Sequence, residues 1–305
     1  MSALPTPVFI EDPADPRLDD IRNLNSSDRR PDLPGGKGLV IAEGPLVVLR
    51  LLVSRFPVRC IVGYGSRLAS FLEGDVTTAL PAHTPAPVMY EVSRDTLKEV
   101  AGFDMHRGLV AAADRAPEWS VDEVLDQVEA DSQGSGRGSI VAVLEGVGDH
   151  ENIGALFRNA AGLGVDAVLF GAATADPLYR RSVRVSMGHV LRTPFARFEG
   201  KTTTWQHGLG ALTARGYVVV ALTPNTDTTL QEAIVQAREL SAERMKAQGV
   251  EGAAPRIAIM VGAEGPGLTE HAMRAADMRA AIPMMPGTDS LNVATAAAIG
   301  FYAAI

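Results

Sequence analysis

The chain contains a single cysteine, Cys60, so no internal disulfide can form, and a reducing cytoplasm is the expected location. It has no apolar run approaching the roughly 18 to 20 residues that a membrane helix needs. The N-terminal stretch MSALPTPVFIEDPADPRLDD is acidic and proline-rich, unlike a secretory signal, and no membrane association is expected. The six histidines match no metal-ligand spacing. His150-Glu151 opens like HExxH, but Gly154 stands where the second histidine belongs, so no metal is expected. A Walker A loop, a GxGxxG turn and a GxSxG elbow are all missing, and Gly208-Leu209-Gly210 stands alone. Basic charge is scarce too: Lys and Arg number 28 against 36 Asp and Glu, a formal net charge of −8. That balance argues against a protein that coats nucleic acid without selectivity, and leaves room for local basic patches.

What is present is concentrated near the C-terminus. Ile257 to Val261 is an uncharged apolar run of the length and composition of a strand buried on both faces. Glycines follow at 262, 265 and 267 with Glu264 between them, so the backbone can turn sharply and approach a ligand. A second apolar stretch, Ala281 to Met284, leads into Pro286-Gly287, then Ser290-Leu291-Asn292 and an Ala-rich helix. Two strand-to-loop turns therefore meet late in the chain, the kind of place where open α/β sheets bind ligands.

At 305 residues the chain is long enough for two cores. Residues 1–115 read as a small α/β domain, with strands at Cys60 to Tyr64, Val88 to Val92 and Gly108 to Ala113, and a short helix capped by Ser93. Residues 116–139 read as a linker: a connecting helix over Trp119 to Ala130, then the Gly/Ser-rich DSQGSGRGS. Residues 140–305 read as a parallel α/β sheet, with buried-type strands at Ile140 to Leu144, Val165 to Phe170, Val218 to Leu222, Ile257 to Val261 and Ala281 to Met284.

Three constellations could carry chemistry, and each alone has a plain structural reading. Asn152 with Gly154 and Arg158 is a helix cap followed by a solvated arginine. Gly262-x-Glu264-x-x-Gly267 is a glycine turn with an acid answering a helix dipole. Ser290 and Asn292 are caps of the last helix. In this order, however, Asn152-x-Gly154-x-x-x-Arg158-x-Ala160, then Gly262-x-Glu264-x-x-Gly267-Leu268, then Ile282-Pro283-Met284 and Ser290-Leu291-Asn292-Val293 resemble the three motifs of the SpoU (TrmH-type) RNA 2′-O-ribose methyltransferases of the SPOUT superfamily. The resemblance covers residues 140–305 and includes Ser182-x-x-Arg184-x-Ser186-Met187-Gly188. Ala42-Glu43-Gly44 and His106-Arg107-Gly108 resemble a ribosomal-protein-L30e-like substrate-binding domain. Ala263 departs from the pattern where many members carry Asn, as does Ala294-Thr295 where Ser-Val is frequent.

The resemblance implies a SPOUT α/β domain whose C-terminal segment threads a deep trefoil knot, with S-adenosylmethionine bent within it. It implies cofactor contacts at Gly262, Ile282 and Leu291, with Leu222 and Met284 nearby. Family members are homodimers whose sites are completed across the interface, and the Ala-rich last helix, which lacks a polar face, is a candidate for that surface. The implied reaction is attack of a ribose 2′-hydroxyl on the sulfonium methyl. Arg158 matches the family's implicated arginine; because a guanidinium stays protonated, it is read as a stabiliser of the developing alkoxide or a phosphate anchor. Asn152 would orient the loop or the ribose, Glu264 would position its neighbours, and Ser290 and Asn292 would hold the site together. Arg180, Arg181, Arg184, Arg192, Arg197 and Lys201 face one acid, Glu199, so this segment and Arg107 are the expected RNA contacts. Ribosomal RNA, 23S above all, is the expected substrate. Transfer RNA is the alternative, and a catalytically silent RNA-binding protein is the reading from a different class.

Overall fold

The computed structural model describes residues 6–25, 38–74, 86–132, 137–250 and 252–305. Residues 133–136, the centre of the Gly/Ser run, and residues 1–5 lie outside the described residues. The chain divides into two compact units, Met1–Pro117 with Asp176–Arg192, and Glu118–Ala175 with Thr193–Ile305. Among the described residues no helix is long and apolar enough to cross a membrane.

In the first unit, β1 (Val8–Phe9), β2 (Leu39–Glu43), β3 (Val58–Tyr64), β4 (Val88–Val92) and β5 (Leu109–Asp114) form one sheet in the order β1-β4-β3-β5-β2. The sheet is mixed: β1, β4 and β3 run parallel, while β5 is antiparallel to both β3 and β2. The apolar segment from Leu39 to Val53 is a strand and then a helix, α1 (Pro45–Leu52). The break falls at Gly44, whose φ of 87° suits only glycine, and Pro45 is placed at the helix start, where its missing N–H has no role. Two further helices, α2 (Gly65–Leu72) and α3 (Arg94–Ala101), follow. Ser93 caps α3 by accepting from Thr96 N, as its sequence predicts. Leu18, Ile21, Ile41, Val62, Leu97 and Val110 fill one core.

Asp176–Arg192, read from sequence with the second domain, packs within this first unit. The reason is chemical. Arg180, on the short helix Arg180–Val185, pairs with the buried carboxylate of Glu43, and its guanidinium lies 5.0 Å from the Phe103 ring centroid. Arg50 Nη1 donates to Met187 O at 2.6 Å.

The second unit is an α/β sheet of six parallel strands in the order β11-β9-β10-β6-β7-β8. It begins with α4 (Val121–Ser132) and β6 (Ser139–Leu144), then α5 (His150–Gly162), β7 (Ala167–Phe170), β8 (Phe195–Arg197), β9 (Tyr217–Leu222), α6 (Leu230–Ala247), β10 (Arg256–Val261), α7 (Glu270–Ala275), β11 (Met278–Ala280) and α8 (Val293–Ala304). Two corrections follow. The last strand is Met278–Ala280, not Ala281 to Met284. Pro283 has no N–H to extend a ladder, and only Ala281 continues the pairing, as a bridge to Thr229. A sixth strand, Phe195–Arg197, escaped sequence reading because it is short and carries a charge. Fully buried strand residues such as Val143, Leu169, Val219 and Met260 each contribute roughly 1.5–3 kcal/mol. At Gly300, α8 comes so close to β10 that an added Cβ would lie 2.9 Å from Ile259 Cγ2.

Candidate active site

Strands β6, β7 and β8 extend from the sheet centre in one direction, and β10, β9 and β11 in the other. The segments leaving β9, β10 and β11 meet at one end of the sheet and enclose a cavity of about 460 Å³. Of the residues expected to hold a cofactor, Leu222, Gly262, Ile282, Met284 and Leu291 all line it. Glu264, Ser290 and Asn292 line it too. Gly262 is a steric necessity: a Cβ there would lie 2.2 Å from Leu268 N and 2.3 Å from Gly267 C, so the loop could not fold back. The loop closes through Gly267 N, which donates to Ala263 O at 3.0 Å.

Asn292 joins three motifs. Its Oδ1 accepts from Ala294 N at 3.0 Å and Thr295 N at 3.3 Å, capping α8. With the oxygen turned to the helix, Nδ2 donates to Asn152 Oδ1 and to Glu264 Oε1, each at 2.9 Å. Asn152 does not cap α5; Asp149 does, accepting from Glu151 N. Asn152 thus keeps its side chain for Asn292, and among the described residues its own Nδ2 has no protein partner. One turn pair along α5, Asn159 Nδ2 donates to Ala294 O at 3.0 Å and ties the two helices together.

Arg158 is on the exposed side of α5 and is not part of the cavity wall. Among the described residues nothing pairs with it. The five arginines expected at RNA, Arg107, Arg180, Arg181, Arg184 and Arg192, all belong to the first unit. Arg107, Arg181, Arg184 and Arg192 are exposed. Arg180 has only 18% of its side chain exposed and is committed to Glu43. Arg197, of the same basic run, is turned inward to Thr174 O and Ala175 O and stacks on Phe170.

Sequence reading missed Glu145. It is buried at 3% exposure, at the end of β6, and gathers donors from Trp205, Gln206 and Thr269. Those partners are 60 to 124 positions away, so no local pattern marks it. It also missed Asp289 in the cavity wall, which leaves the lining with two carboxylates, Asp289 and Glu264, and no basic side chain.

Comparison with known proteins bears on the family and the fold. The sequence model of the SpoU rRNA methylase family matches residues 139–302. An uncharacterized tRNA/rRNA methyltransferase of Mycobacterium tuberculosis is 51% identical over 292 residues, which span 95% of this chain and 89% of that protein. In fold the chain is similar to an AdoMet-bound rRNA methyltransferase from Sinorhizobium meliloti, with TM-score 0.70, 21% identity and 97% of both chains covered. It is likewise similar to a solved RNA 2′-O ribose methyltransferase, with TM-score 0.67, 24% identity, and 97% and 98% of the two chains covered. At such identities the solved structures speak for the fold, whereas the family match and the mycobacterial relative speak for descent. By both, the chain belongs to the SpoU rRNA methylase family.

Proposed function

We propose that this protein is an S-adenosylmethionine-dependent RNA 2′-O-ribose methyltransferase, acting in the cytoplasm on ribosomal RNA. The observation that carries the reading is the junction of Asn152, Glu264 and Asn292 beside a cavity walled by Leu222, Ile282, Met284 and Leu291. The cavity suits the cofactor in three respects. Its apolar side chains offer a slot for the adenine, and Gly262 leaves space where a Cβ would stand. Its two carboxylates and lack of basic residues suit a ligand with a positive sulfonium. When bound, the cofactor supplies a methyl group activated for transfer.

The residues of this chain do the rest. Asn292, itself bonded to Glu264, holds Asn152 so that the free Nδ2 of Asn152 can orient the ribose. Ser290, at the rim, adds a hydroxyl that can donate or accept next to the attacking oxygen. Arg158 stabilises the charge that develops on the 2′-oxygen, or anchors the adjacent phosphate. Because Arg158 lies on an outer face, we place it in the site of a second copy. The exposed Ile299, Tyr302 and Ile305 along α8 form the apolar surface a homodimer would cover. The knot of the C-terminal segment and the L30e-like role of residues 1–115 belong to the same proposal, with residues 140–305 as the methyltransferase domain. Arg107, Arg181, Arg184 and Arg192 are the proposed phosphate contacts, and Arg180 contributes through its pair with Glu43.

Radiolabelled methyl transfer to purified ribosomal RNA and transfer RNA, assayed separately with mapping of the modified ribose, tests the reading. Label in a ribose of ribosomal RNA supports it; label in transfer RNA alone overturns the substrate, and label on a base overturns the chemistry. Arg158→Ala should lower transfer by roughly 10² to 10³ while RNA binding survives. A mixture of Arg158→Ala and Gly262→Val should be more active than either variant alone if sites are shared between copies.

A further inference from the structure

One carboxylate outside the cavity holds the loop that walls it. Glu145 directly follows β6. Its backbone N–H donates to Val261 O, the end of β10, at 3.0 Å. Its carboxylate accepts from Thr269 N at 2.7 Å and Thr269 Oγ1 at 2.9 Å, and Thr269 is the N-cap of α7. Main chain and side chain of a single residue therefore hold both ends of the loop that runs from 262 to 268. Behind it, Trp205 Nε1 donates to Oε1 at 2.7 Å. The indole is fully buried and has no room to retreat: a Cβ on the facing Gly171 would already lie 2.7 Å from it.

Resting on the proposed function above, we infer that Glu145 is a positioning residue for cofactor binding, which sets the path of the 262–268 loop by fixing Val261 and Thr269. That both of its oxygens accept matters more than its shape. Oε1 receives the Trp205 indole N–H, and Oε2 receives the Thr269 N–H, two donors whose hydrogens cannot turn away. The NH₂ of a glutamine would meet one of them whichever way the amide is flipped.

Glu145→Gln tests this at two levels. In protein without cofactor, hydrogen exchange at amides 262–269 should quicken at least ten-fold, with β6 and β10 unchanged. Titration calorimetry should show S-adenosylmethionine binding weakened on the order of ten- to a hundred-fold, the loss of a charged hydrogen bond, while the RNA dissociation constant stays within two-fold. Adding Trp205→Phe removes the conflicting indole N–H and lets the amide turn its NH₂ toward Thr269 Oγ1, so the double variant should bind cofactor more tightly than Glu145→Gln alone. Val128→Ala, a core change on α4, is the control for simple loss of stability: it should lower the melting temperature and leave loop exchange and cofactor affinity alone. Wild-type exchange and affinity in Glu145→Gln overturn the inference, as does an equal effect from Val128→Ala. A wild-type protein that binds no S-adenosylmethionine would overturn the cofactor reading instead, and loop exchange would still decide whether Glu145 is the clamp.

Discussion

Replacing Asn292 with aspartate should separate the two roles of its amide. The carbonyl oxygen caps α8, accepting from Ala294 N and Thr295 N, and an aspartate oxygen accepts equally well there. A negative charge at a helix N-terminus is itself favourable by about 0.3–1 kcal/mol. Both variants lose the bonds made by Nδ2, so Asn292→Asp should melt below wild type but above Asn292→Ala, which also loses about 1 kcal/mol of cap. At the site the outcomes reverse. The aspartate loses both donors to Asn152 and Glu264, each now at 2.9 Å. With the solvent exposure of this junction, two such bonds are worth about 1–2 kcal/mol together. The substitution also sets the introduced carboxylate against Glu264, an added cost of about 1 kcal/mol at water-like screening. If all of this cost of about 2–3 kcal/mol is felt in the placement of Asn152, it sets an upper bound of roughly 30- to 150-fold on the loss of kcat/KM. Methyl transfer and thermal melting of the two variants, side by side, check this. A three-fold or smaller loss of activity in Asn292→Asp, or a melting temperature as low as that of Asn292→Ala, would refute the reasoning.

Gly262→Ala should abolish measurable cofactor binding with the sheet intact by circular dichroism, because its Cβ would sit 2.2 Å from Leu268 N. Gly265→Ala, at φ 86° but in open space, should cost only about 1–2 kcal/mol of backbone strain. Arg180→Ala leaves Glu43, with 7% of its side chain exposed, as an uncompensated buried charge, and should destabilise by about 3 kcal/mol in chemical denaturation. Adding Glu43→Gln should restore much of that, whereas Arg184→Ala should leave stability unchanged and weaken RNA binding in a salt-dependent way. Burial pushes the Tyr217 phenol up to about 12, against the opposing hydrogen bond from Ser139. With a folded value above the unfolded one near 10, the stability tied to the neutral phenol is fully present below pH 10 and is lost as pH rises through about 12. Alkaline unfolding of Tyr217→Phe should accordingly start at higher pH than in wild type.

Strands buried on both faces were legible because their sequences say so directly. Ile140 to Leu144 and Ile257 to Val261 are uncharged runs, and they became adjacent parallel strands, β6 and β10. Phe195–Arg197 and Met278–Ala280 were not, since each is an edge strand of three residues, too short to show a pattern, and each carries an arginine. The same asymmetry governs the site. Gly262, Ser290 and Leu291 were readable because each belongs to a short local motif. Glu145 was not, because its partners come from Trp205 and Thr269, and only strand order brings those to the end of β6. Asn292 shows why local reading divides what structure unites. Read alone, it is a cap or a site residue, as though one excluded the other. In the folded chain the cap is what makes the site: two backbone N–H groups hold Oδ1, and that leaves Nδ2 no direction but toward Asn152 and Glu264. A residue 140 positions from its partner is thereby aimed by the helix that starts beside it.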